Sequence, residues 1–463
     1  MSNIQKTISP IDNSVYVERK LASREEIEDS VNSANKALHD WQTLSINQRK
    51  QLCSQAIEIF SSLKDEIAKE ITWQMGRPIS QSADEIKGFA FRANYMLDIA
   101  ESALSNVFPE EKLGVERYIE KVPVGIIAII APWNYPLLTA VNTLIPALVA
   151  GNAVILKHSP QTPLCAERIV EACRLAGIPK ATIQYLHLNE AGVEFLVKKT
   201  AIHHVAFTGS VKGGSAIEKA AVGRFLGTGF ELGGKDAAYI CDDADIELAV
   251  ESIVSGAYYN SGQSCCSIER LYVPANIYNK VLEQAIGLIN HYQLGPPDDL
   301  NTNLGPLVCT RSADFVRAQI NQAIAKGAVT HIDVSKFEIN KNGTPYLAPQ
   351  LLSQVDHSMD IMTEETFGPV LGIQKVSDDA DAIKLINDNQ YGLTASVFTS
   401  DFHRAKRIGK QLMTGSVYVN KCDYLDPALA WTGVKNSGHG CSLSILGYNA
   451  VTRPKSFYIN QGK

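Results

Sequence analysis

The chain has 463 residues, of which 45% are hydrophobic and 20% charged, and its formal net charge is -6. This length provides for two or three domains, and the composition is that of a globular enzyme rather than a disordered or fibrous protein. The negative charge and the lack of a dense Lys/Arg cluster argue against nucleic acid as a partner.

Cysteine usage and hydropathy indicate a reduced, cytoplasmic protein. Nine cysteines are scattered without paired spacing, so no disulfide framework is predicted. The first residues lack the apolar core of a signal peptide, and the longest apolar run, from Val122 to Pro132, is too short to span a bilayer. We therefore expect no membrane partner. His203 and His204 have no further ligand at metal spacing, so no metal site is predicted and both are interpreted as structural.

The first hundred residues carry helical patterns. Ser23-Arg-Glu-Glu26 fits a capping box, and an apolar stripe follows it at helical spacing. Further helices are predicted over about 46–64, 64–75 and 79–107. We interpret this layer as a scaffold whose charges lie on a solvated face.

Strands and helices then alternate. Strands are predicted over 114–119, 124–130 and 154–157, and helices lie between and after them. This alternation predicts an α/β fold with a mostly parallel, doubly wound sheet, which binds ligands where its strands end. After one strand, Pro132-Trp-Asn-Tyr-Pro136 forms a rigid turn, in which Asn134 either points its amide at a ligand or closes an Asx-type turn.

Two later strand ends carry polar groups. A strand ending at Thr208 leads through a Gly-containing turn into a helix predicted from Ser215, whose first amides could bind a phosphate. The turn is neither a Gly-x-Gly-x-x-Gly fingerprint nor a P-loop. Glu231 ends the next strand, as a functional carboxylate or as a surface acid. The region from 236 to 416 repeats the alternation, which predicts a second α/β domain.

Adjacent thiols follow a helical run that ends at Tyr259. Cys265 and Cys266 lie in a small, polar, glycine-containing segment before a strand-like stretch that begins at Arg270. A cysteine on such a turn can act as a nucleophile, because substrate can approach the backbone closely. Both cysteines could equally be small core residues.

Six stretches in register resemble the NAD(P)-dependent aldehyde dehydrogenase superfamily, in its short bacterial form. They are Pro132-Trp-Asn-Tyr-Pro136, Phe207-Thr-Gly-Ser210 with Gly214, Glu231-Leu-Gly-Gly-Lys235, Gly262-Gln-Ser-Cys265, Glu365-Thr-Phe-Gly-Pro369 and Lys435-Asn-Ser-Gly438. Each alone is weak, but their order and spacing agree over nearly the whole chain. The resemblance implies an oxidoreductase that converts an aldehyde to the carboxylic acid.

The same resemblance implies three structural parts. A Rossmann-type dinucleotide-binding domain would comprise residues 1–115 and 130–232, and an α/β catalytic domain residues 233–425. A small β element of residues 116–129 and 448–463 would bridge subunits, which predicts a homodimer or homotetramer.

Catalytic roles are also implied by the resemblance. Cys265 would be the nucleophile, since the cysteine of the family stands two residues after the position of Gln263, and Cys266 would only line the site. Asn134 would help to hold the oxyanion, and Glu231 would activate water for hydrolysis of the thioester. Two departures concern the proton path from Glu231: Thr143 replaces a frequent Lys, and Cys441-Ser442 replaces a frequent Arg-Glu.

The implied cofactor is NAD or NADP. The residues that match cofactor-binding positions of the family are Trp133, Lys157, Gly209, Ser210, Gly214, Leu232, Gly233, Glu365 and Phe367. Where many members carry a ribose-binding Glu, this chain has Pro160, which has no charge to repel a 2'-phosphate. We therefore expect NADP to be tolerated at least comparably to NAD. His158 would either pair with the 2'-phosphate or be an exposed structural residue.

A substrate tunnel is implied as well. Its predicted lining is Tyr135, Thr139, Asn142, Tyr259, Cys266, Tyr424, Leu425 and Trp431. Relatives that oxidise semialdehyde acids often carry Arg at the positions of Asn142 and Tyr259, and neither is basic here. Because a buried carboxylate needs a cation, this lining predicts an uncharged aliphatic or aromatic aldehyde. Succinic semialdehyde is the alternative, with Lys421 as its candidate anchor and Arg270 expected to be structural.

Two hypotheses from other classes compete with this interpretation. A cofactor-free cysteine acyl hydrolase would use Cys265 with a histidine, although no histidine stands in a supporting motif. A non-catalytic relative is disfavoured by the presence of Asn134, Glu231 and Cys265 together.

Overall fold

Residues 3–460 are described by the structure, which is a computed structural model. Residues 1–2 of the predicted dinucleotide-binding domain and 461–463 of the predicted bridging element lie outside the described residues. Within 3–460 the strands form four sheets, which have seven, six, two and two strands. None of the helices in this range is long and apolar enough to cross a membrane.

A hairpin and a helical layer form the amino-terminal part. Its elements are β1 (Ile4–Ile8), β2 (Val15–Lys20), α1 (Arg24–Thr43), α2 (Ile46–Ser62), α3 (Lys64–Met75), α4 (Ile79–Asp98) and α5 (Ala100–Ala103). The predicted capping box is present, since the Ser23 hydroxyl accepts from the Glu26 amide at 3.1 Å and the Glu26 carboxylate accepts from the Ser23 amide at 2.7 Å. These bonds satisfy amide groups that would be unpaired at the start of α1.

A six-stranded sheet follows, with helices on both faces. Its elements are β4 (Ile126–Ala131), α6 (Pro136–Ala150), β5 (Ala153–His158), α7 (Pro163–Leu175), β6 (Ile183–Tyr185), α8 (Glu190–Lys199), β7 (His204–Thr208), α9 (Val211–Ala221), β8 (Gly227–Glu231) and β16 (Gly438–His439). The strand order is β16-β8-β7-β4-β5-β6, parallel except for β16. Every residue of β4 is buried, as expected for a central parallel strand covered on both faces.

A seven-stranded sheet forms the second α/β unit. Its elements are β9 (Asp236–Ile240), α10 (Ile246–Tyr258), β10 (Ile268–Pro274), α11 (Tyr278–Ile289), α12 (Thr310–Ala325), β11 (Val329–Thr330), β12 (Gln350–Ser353), α13 (Asp360–Thr363), β13 (Val370–Val376), α14 (Asp379–Asn387), β14 (Thr394–Phe398), α15 (Phe402–Gly409) and β15 (Ser416–Val419). The strand order is β11-β12-β13-β10-β9-β14-β15, parallel except for β11. The predicted α/β architecture is therefore confirmed, because both large sheets are mostly parallel.

A two-stranded ribbon stands apart from both large sheets. β3 (Val115–Pro123) pairs antiparallel with β17 (Thr452–Asn460), which follows α16 (Ser444–Ala450). The predicted bridging element of 116–129 differs from this ribbon, because residues 126–129 belong to β4 at the centre of the six-stranded sheet. The boundary lies between Pro123 and Ile126.

One predicted helix is too long. The helix expected over 79–107 ends at Asp98, with a further turn at α5, because Val107 exchanges two backbone hydrogen bonds of 2.9 Å with Ile119 of β3. Pairing with the next strand in the chain has overridden local helix propensity here.

Candidate active site

The Cys265 segment is held in an unusual backbone conformation. Asn260, Ser261 and Gly262 have φ angles of 52°, 56° and 70°, a left-handed run that turns the chain sharply after α10. A Cβ atom at Gly262 would lie 2.2 Å from the carbonyl oxygen of Gly368, so only glycine allows this close approach. The turn therefore packs directly against the loop that precedes β13.

Hydrogen bonds tie this turn to the Asn134 loop. The Nδ2 of Asn134 donates to the carbonyl oxygen of Gln263 at 3.2 Å, and the Nδ2 of Asn260 donates to the same oxygen at 3.2 Å. Asn260 also donates to the carbonyl of Asn134 at 3.3 Å. The side-chain amide of Asn134 is thus held against Gln263, which stands two residues before Cys265 in the chain. One of its two N–H groups is not used in that bond and can donate to a ligand.

A buried ion pair underlies this arrangement. Arg77 and Glu85 form an ion pair, and their side chains are 0% and 1% exposed. Glu85 also accepts from the amides of Leu137 and Leu138 at 2.8 and 3.2 Å, at the start of α6. Arg77 donates to the Asn134 carbonyl and to Asn260, so that one pair positions both loops. Its placement corrects the expectation that the charges of the helical layer lie on a solvated face.

A cavity of about 260 Å³ opens in front of Cys265. Its lining includes Cys265 and Glu231 and all eight residues expected for the tunnel, which are Tyr135, Thr139, Asn142, Tyr259, Cys266, Tyr424, Leu425 and Trp431. No histidine lines it within the described residues. A single concave space therefore contains a half-buried thiol, a carboxylate and apolar walls, as ligand sites commonly do.

Two arginines, Arg77 and Arg92, also line this cavity. Neither arginine was expected, because the predicted lining contains no cation and Lys421 was the candidate anchor. Lys421 instead lines a different depression, beside α10. Sequence reasoning missed both arginines because they come from the α3–α4 junction and from α4, far along the chain from the motifs. Arg270 is structural as expected, since it is 2% exposed and donates to three backbone carbonyls.

The two adjacent thiols differ in environment. Cys266 is 3% exposed, and its Sγ donates to Oδ1 of Asp423 at 3.1 Å. The hydrogen bond with Cys265, together with burial, raises the pKa of Cys266 well above its ordinary value. Cys266 therefore stays a neutral thiol, whereas Cys265 is the more accessible of the pair.

Glu231 ends β8 on the wall between two spaces. It lines the 260 Å³ cavity and also a small cavity of about 30 Å³ whose lining includes Thr143, Cys441 and Ser442. Ser442 donates to Oε1, and Thr208 donates to Oε2 at 3.1 Å. Burial raises the pKa of Glu231, and the two hydroxyls oppose that rise. A carboxyl group with a raised pKa is suited to proton transfer near neutral pH.

The predicted cofactor residues lie at the strand ends of the six-stranded sheet and at the loop that faces them. The Trp133 ring meets the Phe367 ring edge-on, with centroids 5.6 Å apart. Glu365 accepts from the Gly234 amide at 3.0 Å, and a Cβ atom at Gly233 would lie 2.4 Å from this carboxylate. Gly233 is therefore required for Glu365 to reach this position.

The turn after β7 presents bare backbone. Ser210 caps α9, which begins at Val211 rather than at the predicted Ser215, and its hydroxyl accepts from the Gly213 amide at 3.2 Å. A Cβ atom at Gly209 would lie 2.6 Å from the Phe207 ring, and one at Gly214 would lie 2.9 Å from Leu232. This uncovered helix start fits a dinucleotide phosphate. Lys157 lies in β5 of the same sheet, and burial lowers its pKa to about 8.

The surroundings of Pro160 correct one expectation. His158 is 4% exposed, its Nε2 lies 2.8 Å from the carbonyl oxygen of Pro136, and burial lowers its pKa to about 4. A buried, neutral imidazole cannot pair with a 2'-phosphate, and the alternative of an exposed histidine is wrong as well. Pro160 itself is exposed. His203 and His204 are structural as predicted: the first accepts from the Ile126 amide at 3.0 Å and the second is buried.

Comparisons with known proteins agree with this geometry. The model of the aldehyde dehydrogenase family matches residues 2–457. The succinate semialdehyde dehydrogenase [NAD(P)+] Sad of Escherichia coli (strain K12) is 32% identical over 92% of this chain and 91% of its own length. The betaine aldehyde dehydrogenase of Sinorhizobium fredii (strain NBRC 101917 / NGR234) is also 32% identical, over 94% and 90%. The structure of succinic semialdehyde dehydrogenase from Streptococcus pyogenes with NADP+ has a TM-score of 0.93 at 28% identity, covering 98% of this chain and 100% of that one.

Proposed function

This chain belongs to the aldehyde dehydrogenase family, and we propose on that premise that Cys265, Asn134 and Glu231 carry out the oxidation of an aldehyde to its acid with NAD(P). The observation that carries the proposal is the single cavity into which the Cys265 thiol and the Glu231 carboxylate both open, beside the fixed Asn134 loop.

In the first step the Cys265 thiolate attacks the aldehyde carbon, and a C–S bond forms while the carbonyl electrons move to oxygen. The free N–H of Asn134 stabilises that oxyanion. Electrostatic stabilisation of this kind is typically the largest single contribution to catalysis. A bound nicotinamide would supply the acceptor for the hydride that leaves the tetrahedral carbon. The collapsing oxyanion then re-forms a carbonyl, now part of a thioester on Cys265.

In the second step water attacks the thioester. Glu231 removes a proton from that water, and the C–S bond breaks to release the acid and the Cys265 thiolate. Ser442 and Thr208 donate hydrogen bonds that orient the Glu231 carboxylate. The small cavity behind Glu231 is large enough for a water molecule, which could carry the proton past Thr143 and Cys441.

The test is a panel of aldehydes, each with NAD+ or NADP+, followed by the absorbance of the reduced nicotinamide. Turnover with at least one aldehyde is expected. Thiol-dependent ester hydrolysis without any nicotinamide reduction would instead support the cysteine acyl hydrolase, and activity of neither kind would support a non-catalytic relative.

A prediction concerns Ser442, whose hydroxyl favours the ionised form of Glu231. Ser442→Ala should raise the Glu231 pKa further, so that the acidic limb of kcat moves up by roughly one pH unit. The sign follows because only the ionised carboxylate accepts a proton from water. Ser102→Ala is the control, because this exposed serine of α5 lies outside the lining of both cavities. An unmoved limb in Ser442→Ala would contradict the prediction.

A second prediction concerns the cofactor. Because exposed Pro160 offers neither an acceptor nor a charge, NADP should be used at least comparably to NAD. Pro160→Glu should shift the NADP/NAD ratio of kcat/KM toward NAD by about tenfold, by repelling the 2'-phosphate and binding the ribose hydroxyls. Pro160→Gln is the control without charge. Strong NAD selectivity of the unmodified protein would contradict the argument.

The proposal also covers the oligomeric state of the protein and its compartment in the cell. The β3–β17 ribbon and its surroundings expose large apolar side chains, including Phe108 at 70% and Tyr458 at 62%. Exposed apolar surface of this kind marks contact sites, which supports a homodimer or homotetramer bridged by the ribbon. Light scattering of the purified protein measures this state. All nine cysteines are free thiols, which supports the cytoplasm as the compartment.

A further inference from the structure

Arg92 is a buried cation on the wall of the Cys265 cavity. It lies on α4, is 8% exposed, and lines the same space as Cys265 and Glu231. Its Nη1 donates to the carbonyl oxygen of Leu138 at 3.1 Å and to Oδ1 of Asn142 at 3.2 Å. Both acceptors belong to α6, so the guanidinium is clamped between two helices rather than free to swing into solvent.

The remaining hydrogen-bonding capacity of Arg92 has no partner in the protein. A guanidinium has five N–H donors, and no acceptor for Nε or Nη2 of Arg92 occurs among residues 3–460. No carboxylate in that range forms an ion pair with it either. Arg77, the other arginine of the cavity, differs because it is already paired with Glu85. Arg92 is therefore the cavity cation that is left without a counter-charge.

Four acids line the same cavity, and each is engaged elsewhere. Asp84 is paired with Lys87, and Glu85 is paired with Arg77. Glu231 accepts from Ser442 and Thr208, and Asp423 accepts from Cys266 and from Ser264. A buried cation with unused donors is costly, and an anionic ligand that pairs with it removes that cost. Arginine presents its donors as a planar fork that matches the two oxygens of a carboxylate.

We propose that Arg92 binds the carboxylate of the substrate, which is a short aldehyde acid with its carboxylate at the end opposite to the aldehyde. Asn142, the uncharged residue at a position where relatives often have Arg, orients Arg92 through its Oδ1 instead of binding the carboxylate itself. This assignment rests on the proposed function, since it names the substrate class of the same cavity. A space of about 260 Å³ suits a chain of a few carbons.

The test compares succinic semialdehyde with pentanal, which is of similar length but has no charge. In the unmodified protein kcat/KM should favour the semialdehyde by about 10²-fold. Arg92→Met should lower kcat/KM for the semialdehyde by about 10²-fold, mainly through KM, while kcat/KM for pentanal stays within roughly threefold. Arg92→Lys should recover part of the loss, because it retains the charge without the fork.

Lys69→Met is the matched control. Lys69 is an exposed cation of α3 that lies outside the cavity lining, so its removal should change kcat/KM for neither substrate. An equal loss for both substrates in Arg92→Met would overturn the assignment and indicate a general structural or electrostatic role. A preference of the unmodified protein for pentanal would overturn it without any variant. If neither aldehyde reduced nicotinamide, the proposed function itself would fail.

Discussion

Cys265→Ala is expected to abolish nicotinamide reduction, with a loss of at least about 10⁴-fold in kcat, because no other group can form the covalent intermediate. The thiol opens into the 260 Å³ cavity, and the left-handed turn from Asn260 to Gly262 places it beside the fixed Asn134 loop. Ester hydrolysis should disappear in the same variant, since both activities would use the same sulfur. Circular dichroism and cofactor binding would verify that the variant is folded.

Cys266→Ala is the matched comparison for this prediction. Its Sγ is buried and donates to Asp423, and its pKa is raised well above the ordinary value by the hydrogen bond with Cys265 and by burial. A neutral thiol of this kind is a poor nucleophile, so the variant should retain substantial turnover even though it borders the cavity. Reversed effects of the two substitutions would place the nucleophile at Cys266.

Glu231→Gln should produce a burst of reduced nicotinamide followed by a slow steady state. The amide cannot accept the proton of water, so hydride transfer still occurs once per site but hydrolysis of the thioester is slowed by about 10²–10⁴-fold. Rapid mixing of enzyme with excess aldehyde and cofactor measures both phases, and the burst amplitude should approach one per active site.

The pH dependence of steady-state turnover in the unmodified enzyme provides an independent check of the general-base role of Glu231. Burial raises its pKa, so steady-state turnover should fall as the pH drops through a value above that of an ordinary glutamate. Thr208→Val removes one of the hydroxyl groups that donate to Glu231. It should therefore move the acid limb to higher pH, in the same direction as Ser442→Ala. Normal steady-state turnover in Glu231→Gln would rule out the general-base role.

The residues proposed for catalysis stand in local motifs that the sequence displays. Asn134, Glu231 and Cys265 each stand at a strand end or a sharp turn that glycine and proline mark in the sequence, and parallel sheets bring such ends to one edge. The eight tunnel residues also line one cavity in the structure. Their roles remain predictions, which the substitutions above would test.

Residues on long helices were not found in this way. Glu85 and Arg92 are seven positions apart, two turns of α4, and so share one face of that helix. The exposed side of α4 carries charge as well, for example at Lys87. Charge pattern alone therefore does not tell which face is buried. Only the packing of α4 against α6 turns Arg92 toward the cavity.

The predicted boundaries of elements were wrong where pairing with another strand decides them. Val107 leaves the predicted helix to pair with Ile119, and β3 continues to Pro123 because its partner β17 extends opposite it, with Pro123 facing Thr452. No local signal in 79–130 reports a partner more than three hundred residues away.

The central claim is that the substrate becomes a thioester on Cys265, and one measurement tests it directly. Glu231→Gln is mixed with succinic semialdehyde and NADP+, quenched in acid within the burst, digested and mapped by mass spectrometry. We expect a succinyl adduct on the Cys265 sulfur and an unmodified Cys266. An adduct on Cys266, or a burst of reduced nicotinamide without any acylated cysteine, would contradict it.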